Sequence, residues 1–139
     1  MNTPFSVDDV ATSPEKGTEL ILVVDDMEVN RERLVDEIEL LGYKSVEAEN
    51  GVEALKRIEE QAPDLILLDL MMPVLDGHGV LEALAANSQW ARIPAVIISG
   101  MDDMDSLARC LEVGATDYLV KPVKSRLLRA RIENCLASV

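Results

Sequence analysis

Four short apolar runs in this 139-residue chain each deliver polar groups at their carboxyl ends. LILVVDD ends in Asp25 and Asp26, and LILLD ends in Asp69. AVIIS ends in Ser99, and DYLVKP presents Lys121 followed by Pro122. Three carboxylates brought together cannot all stay ionised without a counter-cation. A hard divalent ion with oxygen ligands resolves that conflict; Mg²⁺ fits because it takes one or two carboxylates and keeps places for phosphate oxygens. Lys121 adds a fixed positive charge, and Ser99 can donate to a phosphoryl oxygen. A carboxylate is also a competent nucleophile toward phosphorus, giving an acyl phosphate. Taken singly, each group has a bland reading: a helix cap, a strand-end acid, a turn, a loop. Their joint placement points to a site for a cation and a phosphoryl group.

The elements that must position these groups follow from the pattern. Apolar runs of this length read as strands buried on both faces, here about 20–25, 64–68, 95–98 and 117–120, with a short strand near 45–48. Between them the spacing predicts five helices. The first runs from Glu28 to Leu41, with Leu34, Ile38 and Leu41 inward, and stops at Gly42. The second follows Asn50-Gly51, buries Ala54, Leu55 and Ile58, and is broken by Pro63. The third follows Asp76-Gly77 with Val80, Leu81 and Leu84 as its stripe. The fourth begins within Asp102–Asp105 and ends at Gly114; the fifth carries Leu128, Ile132 and Leu136. Strict β-α alternation implies a parallel sheet covered on both faces. The predicted fold is α/β, flavodoxin-like and doubly wound, with five parallel strands in the order 2-1-3-4-5. The first and third strands then flank the switch point, where such sheets bind ligands.

Composition bounds the rest. The length suits one domain over 19–139, preceded by residues 1–18, which mix Pro, Ser, Thr, Gly and acids and read as a mobile leader. Hydrophobic residues make up 48% of the chain, enough for a core that must be aliphatic because aromatics are few. A formal net charge of −13 argues against nucleic-acid binding through this chain. No apolar stretch reaches membrane-spanning length, and no signal peptide is evident. Cys110 and Cys135 form neither a CxxC nor a Cys/His set, so zinc is not expected and a reduced cytoplasmic setting is.

With these residues in place, the chain resembles a response-regulator receiver domain of two-component signalling. The resemblance covers about residues 19–137 and rests on VVDD at 23–26, DLMMPVLDG at 69–77, IISG at 97–100 and GATDYLVKP at 114–122. It implies Asp69 as the phosphoacceptor, and Mg²⁺ (or Mn²⁺) held by Asp26, Asp69 and the Met71 backbone carbonyl, with Asp25 acting largely through water. It implies that Lys121 bonds the phosphoryl group, that the Lys121–Pro122 bond is cis, and that Ser99 and Tyr118 form the switch. Met71 and Met101 stand where the family tunes hydrolysis, and neither can orient water, so a long-lived phosphoryl state is expected. The implied partner is a histidine kinase or histidine phosphotransfer protein, and the implied output surface is the fourth helix, fifth strand and fifth helix. Asp117 and Arg131 match positions that pair across a homodimer in one receiver subfamily, whereas Thr116 and Leu127 depart from it. The segment from Met104 onward resembles receivers fused to nucleotide cyclases or PP2C-like phosphatases, so a C-terminal effector beyond this chain is an expectation.

Two other functions compete. A Mg²⁺-dependent aspartyl phosphatase would use Asp, metal and Lys, but wants a second acid two residues after its nucleophile, where Met71 stands. A pseudo-receiver that only binds partners would not need the intact acidic set. A switch with no enzymatic turnover is therefore expected. His78 is taken as a solvated helix-start residue, Trp90 as a lid on the core edge, and Arg126, Arg129 and Arg131 as a solvated face.

Overall fold

A computed structural model describes residues 19–100 and 104–137. The expected leader, Met101 and the acids at 102 and 103 lie outside them. Five strands alternate with five helices: β1 (Leu20–Val24), α1 (Glu28–Leu40), β2 (Lys44–Ala48), α2 (Gly51–Glu60), β3 (Leu65–Asp69), α3 (Gly77–Ala86), β4 (Ala95–Ser99), α4 (Met104–Val113), β5 (Asp117–Val120) and α5 (Ser125–Ala137). All strand pairs are parallel, and the order is β2-β1-β3-β4-β5, as predicted.

The alternation of side chains along each strand builds two cores. Ile21, Val23, Leu65, Leu67, Val96 and Ile98 face α1 and α5. Their neighbours Leu22, Val24, Ile66, Leu68 and Ile97 face the opposite layer, with Ala54 and Ile58 of α2, Val80 and Leu84 of α3, and Leu107 of α4. Burying each such aliphatic side chain stabilises the fold by about 1.5–3 kcal/mol. A Leu67→Ala change at the centre of β3 would cost about 2–5 kcal/mol, because rigid neighbours leave a cavity.

Helix boundaries follow local chemistry. The Asn50 side chain accepts from the Glu53 N–H at 2.8 Å, and Glu53 Oε1 in turn accepts from the Glu49 N–H at 2.8 Å, which sets the start of α2. Asp76 caps α3 through the Gly79 N–H at 3.0 Å. Gly42, at φ +99°, ends α1 in a left-handed conformation that a side chain would resist.

The inward stripe of α5 differs from the expected one. Leu128 and Ile132 are buried, but the third buried position is Cys135, and Leu136 is only half-buried. Successive four-residue steps each rotate the face by about 40°, so a 4-then-3 spacing stays closer to the core. Leu55 of α2 is likewise half-buried rather than fully inward. His78 is not fully solvated: it is half-buried, with Nδ1 3.5 Å from Cys110 Sγ across the α3–α4 contact. Burial pushes that thiol up to about 11, which keeps it protonated and unreactive.

Candidate functional site: an acidic pocket at the switch point

The register of the sheet brings the polar strand ends to one rim. Val24 pairs with Leu68, Asp69 with Ile98, and Ser99 with Val120, so Asp25, Asp69, Ser99 and Lys121 emerge side by side. Carboxylate oxygens of Asp25, Asp26 and Asp69 lie within 4.8 Å of one another; Asp25 and Asp69 are buried and Asp26 is exposed. Lys121 Nζ stands 3.1 Å from Asp69 Oδ1. Ser99 is buried at the end of the adjoining strand, its hydroxyl 3.5 Å from the Gly100 carbonyl. The Lys121–Pro122 peptide bond is cis, as expected.

The electrostatics match this crowding. Burial and the neighbouring Asp25 charge push the Asp69 carboxyl up to about 6, against the opposing pull of Lys121. Burial also raises Asp25, while the Met27 N–H donated to its Oδ1 at 2.9 Å holds it down. A cluster that strains to hold its negative charge is a suitable host for a hard divalent cation.

Sequence reasoning did not single out Arg31. It reaches back from α1 to donate from Nη1 to the Asp25 carbonyl at 2.8 Å, and pairs through Nε with Glu47 of β2 at 2.9 Å. The signal for it was position: a helix starting at Glu28, just after Asp26, brings the end of its first turn back over the strand end. Arg33 was missed in the same way; its Nη2 donates to the Val123 carbonyl at 2.9 Å.

The switch candidate Tyr118 sits on β5, half-buried against the α2–α4 core. The dimer candidates meet within the one chain, Arg131 Nε lying 3.2 Å from Asp117 Oδ2 and donating to the Tyr118 carbonyl at 3.2 Å. Arg129 pairs with Glu133 at 3.1 Å, while Arg126 is exposed as expected. Of the β3–α3 loop, Met71 and Val74 expose their side chains. Val74 has φ +71°, in a tight turn where the Leu75 N–H donates to the Pro73 carbonyl at 2.8 Å.

Sheet order and acidic rim together define a receiver-type α/β domain. The family model for the response regulator receiver domain matches residues 21–133, and the chain belongs to this family. It is thus a receiver domain of a two-component response regulator, a family that typically binds Mg²⁺ at an acidic pocket. Among its relatives, the probable transcriptional regulator ycf27 of Porphyridium aerugineum is 39% identical over 121 residues, covering 87% of this chain and 49% of that protein. The phosphate regulon transcriptional regulatory protein PhoB of Pseudomonas aeruginosa is 38% identical over 116 residues, covering 84% and 51%. The chain thus spans about half the length of these curated relatives. Among solved structures, the receiver domain of NtrX from Brucella abortus is similar with a TM-score of 0.81 at 30% identity, covering 86% of this chain and 99% of that one. The chemotaxis protein CheY4 of Vibrio cholerae gives 0.80 at 28% identity, covering 86% and 99%.

Proposed function

We propose that this receiver accepts a phosphoryl group on Asp69 and passes the event to its α4–β5–α5 face. The observation that carries the reading is the Lys121 ammonium at 3.1 Å from a buried Asp69 carboxylate, beside two further acids. An Asp69 oxygen forms the new bond to phosphorus; the bond to the donor's leaving atom breaks, and the leaving group keeps the electron pair. The Lys121 ammonium balances charge on the equatorial oxygens, and the Ser99 hydroxyl donates to one of them. Asp26, Asp69 and the Met71 backbone carbonyl would hold Mg²⁺ directly and Asp25 largely through water, with Mn²⁺ as an alternative. Bound there, the ion supplies positive charge to the phosphoryl oxygens and relieves repulsion among the acids.

Ser99 and Tyr118 carry the switch: drawing Ser99 toward the phosphoryl group makes room for the Tyr118 ring to turn inward and biases a two-state equilibrium. The donor is a histidine kinase or a histidine phosphotransfer protein, working in the cytoplasm, and a small acyl phosphate can replace it. The chain performs no turnover beyond its own phosphorylation and slow hydrolysis, because Met71 offers neither acid nor base beside Asp69. Control of transcription is the output class that the names of its relatives suggest, exerted through an effector; the acidic surface of this chain does not suit DNA contact. A homodimer through Arg131 and Asp117 requires exchanging their pairing within the chain for one between chains.

Incubation with acetyl phosphate and Mg²⁺, read by intact mass, tests the reading. A phosphate-sized gain that disappears in Asp69→Asn is expected. No gain while Mg²⁺ is bound would make the chain a pseudo-receiver.

A further inference from the structure

The loop that carries Lys121 is tied to helix α1 at its far side. Lys121 leaves β5 with its N–H donated to the Ser99 carbonyl at 2.7 Å. Pro122 contributes no N–H. Beyond it, the Val123 side chain is buried beside Leu34 and Leu128, and its carbonyl accepts from Arg33 Nη2 at 2.9 Å. The Arg33 guanidinium is a rigid planar fork, and its Nε lies 3.3 Å from Glu37 Oε2 one turn along α1. The other oxygen of Glu37 accepts the hydroxyl hydrogen of Ser125, the first residue of α5. Two residues on one turn of α1 therefore hold both ends of the Val123–Ser125 connection. Arg33 and Lys121 also line the same cavity beside Asp25.

We propose that Arg33, oriented by Glu37, is a positioning residue for Lys121 in phosphoryl transfer. The inference rests on the reading of Lys121 as the phosphoryl-binding cation. A lysine ammonium ends a flexible four-carbon stem, so its reach is set by where the backbone places that stem. Asp69 attracts the ammonium, while the backbone that carries its stem is held by the Lys121 N–H on the Ser99 carbonyl and, two residues on, by the buried Val123 side chain and the Arg33 contact with the Val123 carbonyl. Arg33 is exposed over 57% of its side chain, and such an ion pair contributes little to global stability. Its loss is therefore expected to leave the fold intact while releasing one of the restraints on the loop.

The test compares Arg33→Ala, Arg33→Lys, Lys121→Ala and the Arg33→Ala/Lys121→Ala double variant of the full chain. Phosphorylation by acetyl phosphate at saturating Mg²⁺ is followed by intact mass, Mg²⁺ affinity by titration, and the Lys121 ammonium by ¹⁵N NMR. Arg33→Ala is expected to slow phosphorylation about tenfold, since sub-ångström to ångström misplacement of a charge carries such losses. Mg²⁺ affinity stays at its wild-type value, the melting temperature falls by only a few degrees with the protein still folded, and the Lys121 signal moves toward that of a free lysine. Arg33→Lys, which can reach the Val123 carbonyl but cannot also hold Glu37, recovers part of the rate. In the Lys121→Ala background the Arg33 change has no further effect. Equal losses in both backgrounds, or an unmoved Lys121 signal, overturn the inference. If the wild-type chain takes no phosphate, the Asp69 reading falls while the NMR comparison still decides the role of Arg33.

Discussion

Lys121 reaches Asp69 from the end of β5 across the intervening strand β4, and its Nζ rests 3.1 Å from Oδ1. It is the nearest compensation for a carboxyl group that burial and Asp25 both push toward the neutral form. Replacing Lys121 with Ala leaves that carboxylate beside two other acids without its cation. Phosphorylation of Asp69 is expected to slow by about a hundredfold, the usual loss when a positioned charge is removed from a transferring group. Rates from acetyl phosphate at saturating Mg²⁺ check it; a rate within twofold of wild type would remove Lys121 from the chemistry.

The raised Asp69 pKa makes metal-free stability depend on pH in a defined direction. The folded carboxyl titrates at about 6 against 3.8 for the ordinary group, so the folded state holds its proton more tightly than the unfolded one. The stability this contributes is fully present below about pH 3.8 and is lost as pH rises through 6. Two pH units correspond to about 3 kcal/mol as a ceiling. Asp69→Asn is therefore expected to be more stable than wild type at pH 7.5 without metal, with the difference closing toward pH 4. Urea unfolding of both proteins across that range measures it, and Mg²⁺ should favour the wild type selectively.

Arg31 fastens the acid-bearing loop to the sheet by its bonds to the Asp25 carbonyl and Glu47. Arg31→Ala should weaken Mg²⁺ binding about tenfold, as loss of an orienting partner does at metal sites. It should also destabilise the fold by about 1–2 kcal/mol through the lost charge-assisted bond. Calorimetric Mg²⁺ titration and denaturant melts give the two numbers separately. Unchanged affinity in a destabilised protein would leave Arg31 with a purely structural role.

Gly51 lets the start of α2 approach the β3–α3 loop. A Cβ there would lie 2.4 Å from the Leu75 carbonyl oxygen and 2.8 Å from its Cβ, a clash with backbone that no rotamer relieves. Gly51→Ala should cost about 2–3 kcal/mol, even though alanine is the better helix former. A melting temperature equal to or above wild type would contradict this packing.

Val74 offers the opposite case. A β-branched residue at φ +71° is strained, and the residue is 84% exposed, so it gains little packing in return. Val74→Gly should raise stability by about 1 kcal/mol, read as an upward shift in the melting temperature with phosphorylation unaffected.

The amino-acid sequence by itself determined the elements and the inventory of the site. Runs such as LILLD and AVIIS are buried on both faces wherever they lie in a parallel sheet, so their periodicity and their polar ends were readable without coordinates. The Asp25, Asp26, Asp69, Ser99 and Lys121 set followed, because a strand's carboxyl end is a fixed place in this architecture. The third buried position of α5 was misplaced only because whole-residue spacing approximates a 3.6-residue turn. What the tertiary structure alone decided is how the site is braced and charged. Arg31 and Arg33 stand among solvent-facing charges on an amphipathic helix; besides Glu47 and Glu37, each bonds a backbone carbonyl, 6 and 90 residues away, that carries no side-chain signature. The pairing of Arg131 with Asp117 inside one chain, and the lift of Asp69 toward neutrality, likewise depend on distance and burial. Residue type sets what a group can do; only packing sets how near its neighbours come, and Coulomb and desolvation energies depend on that distance.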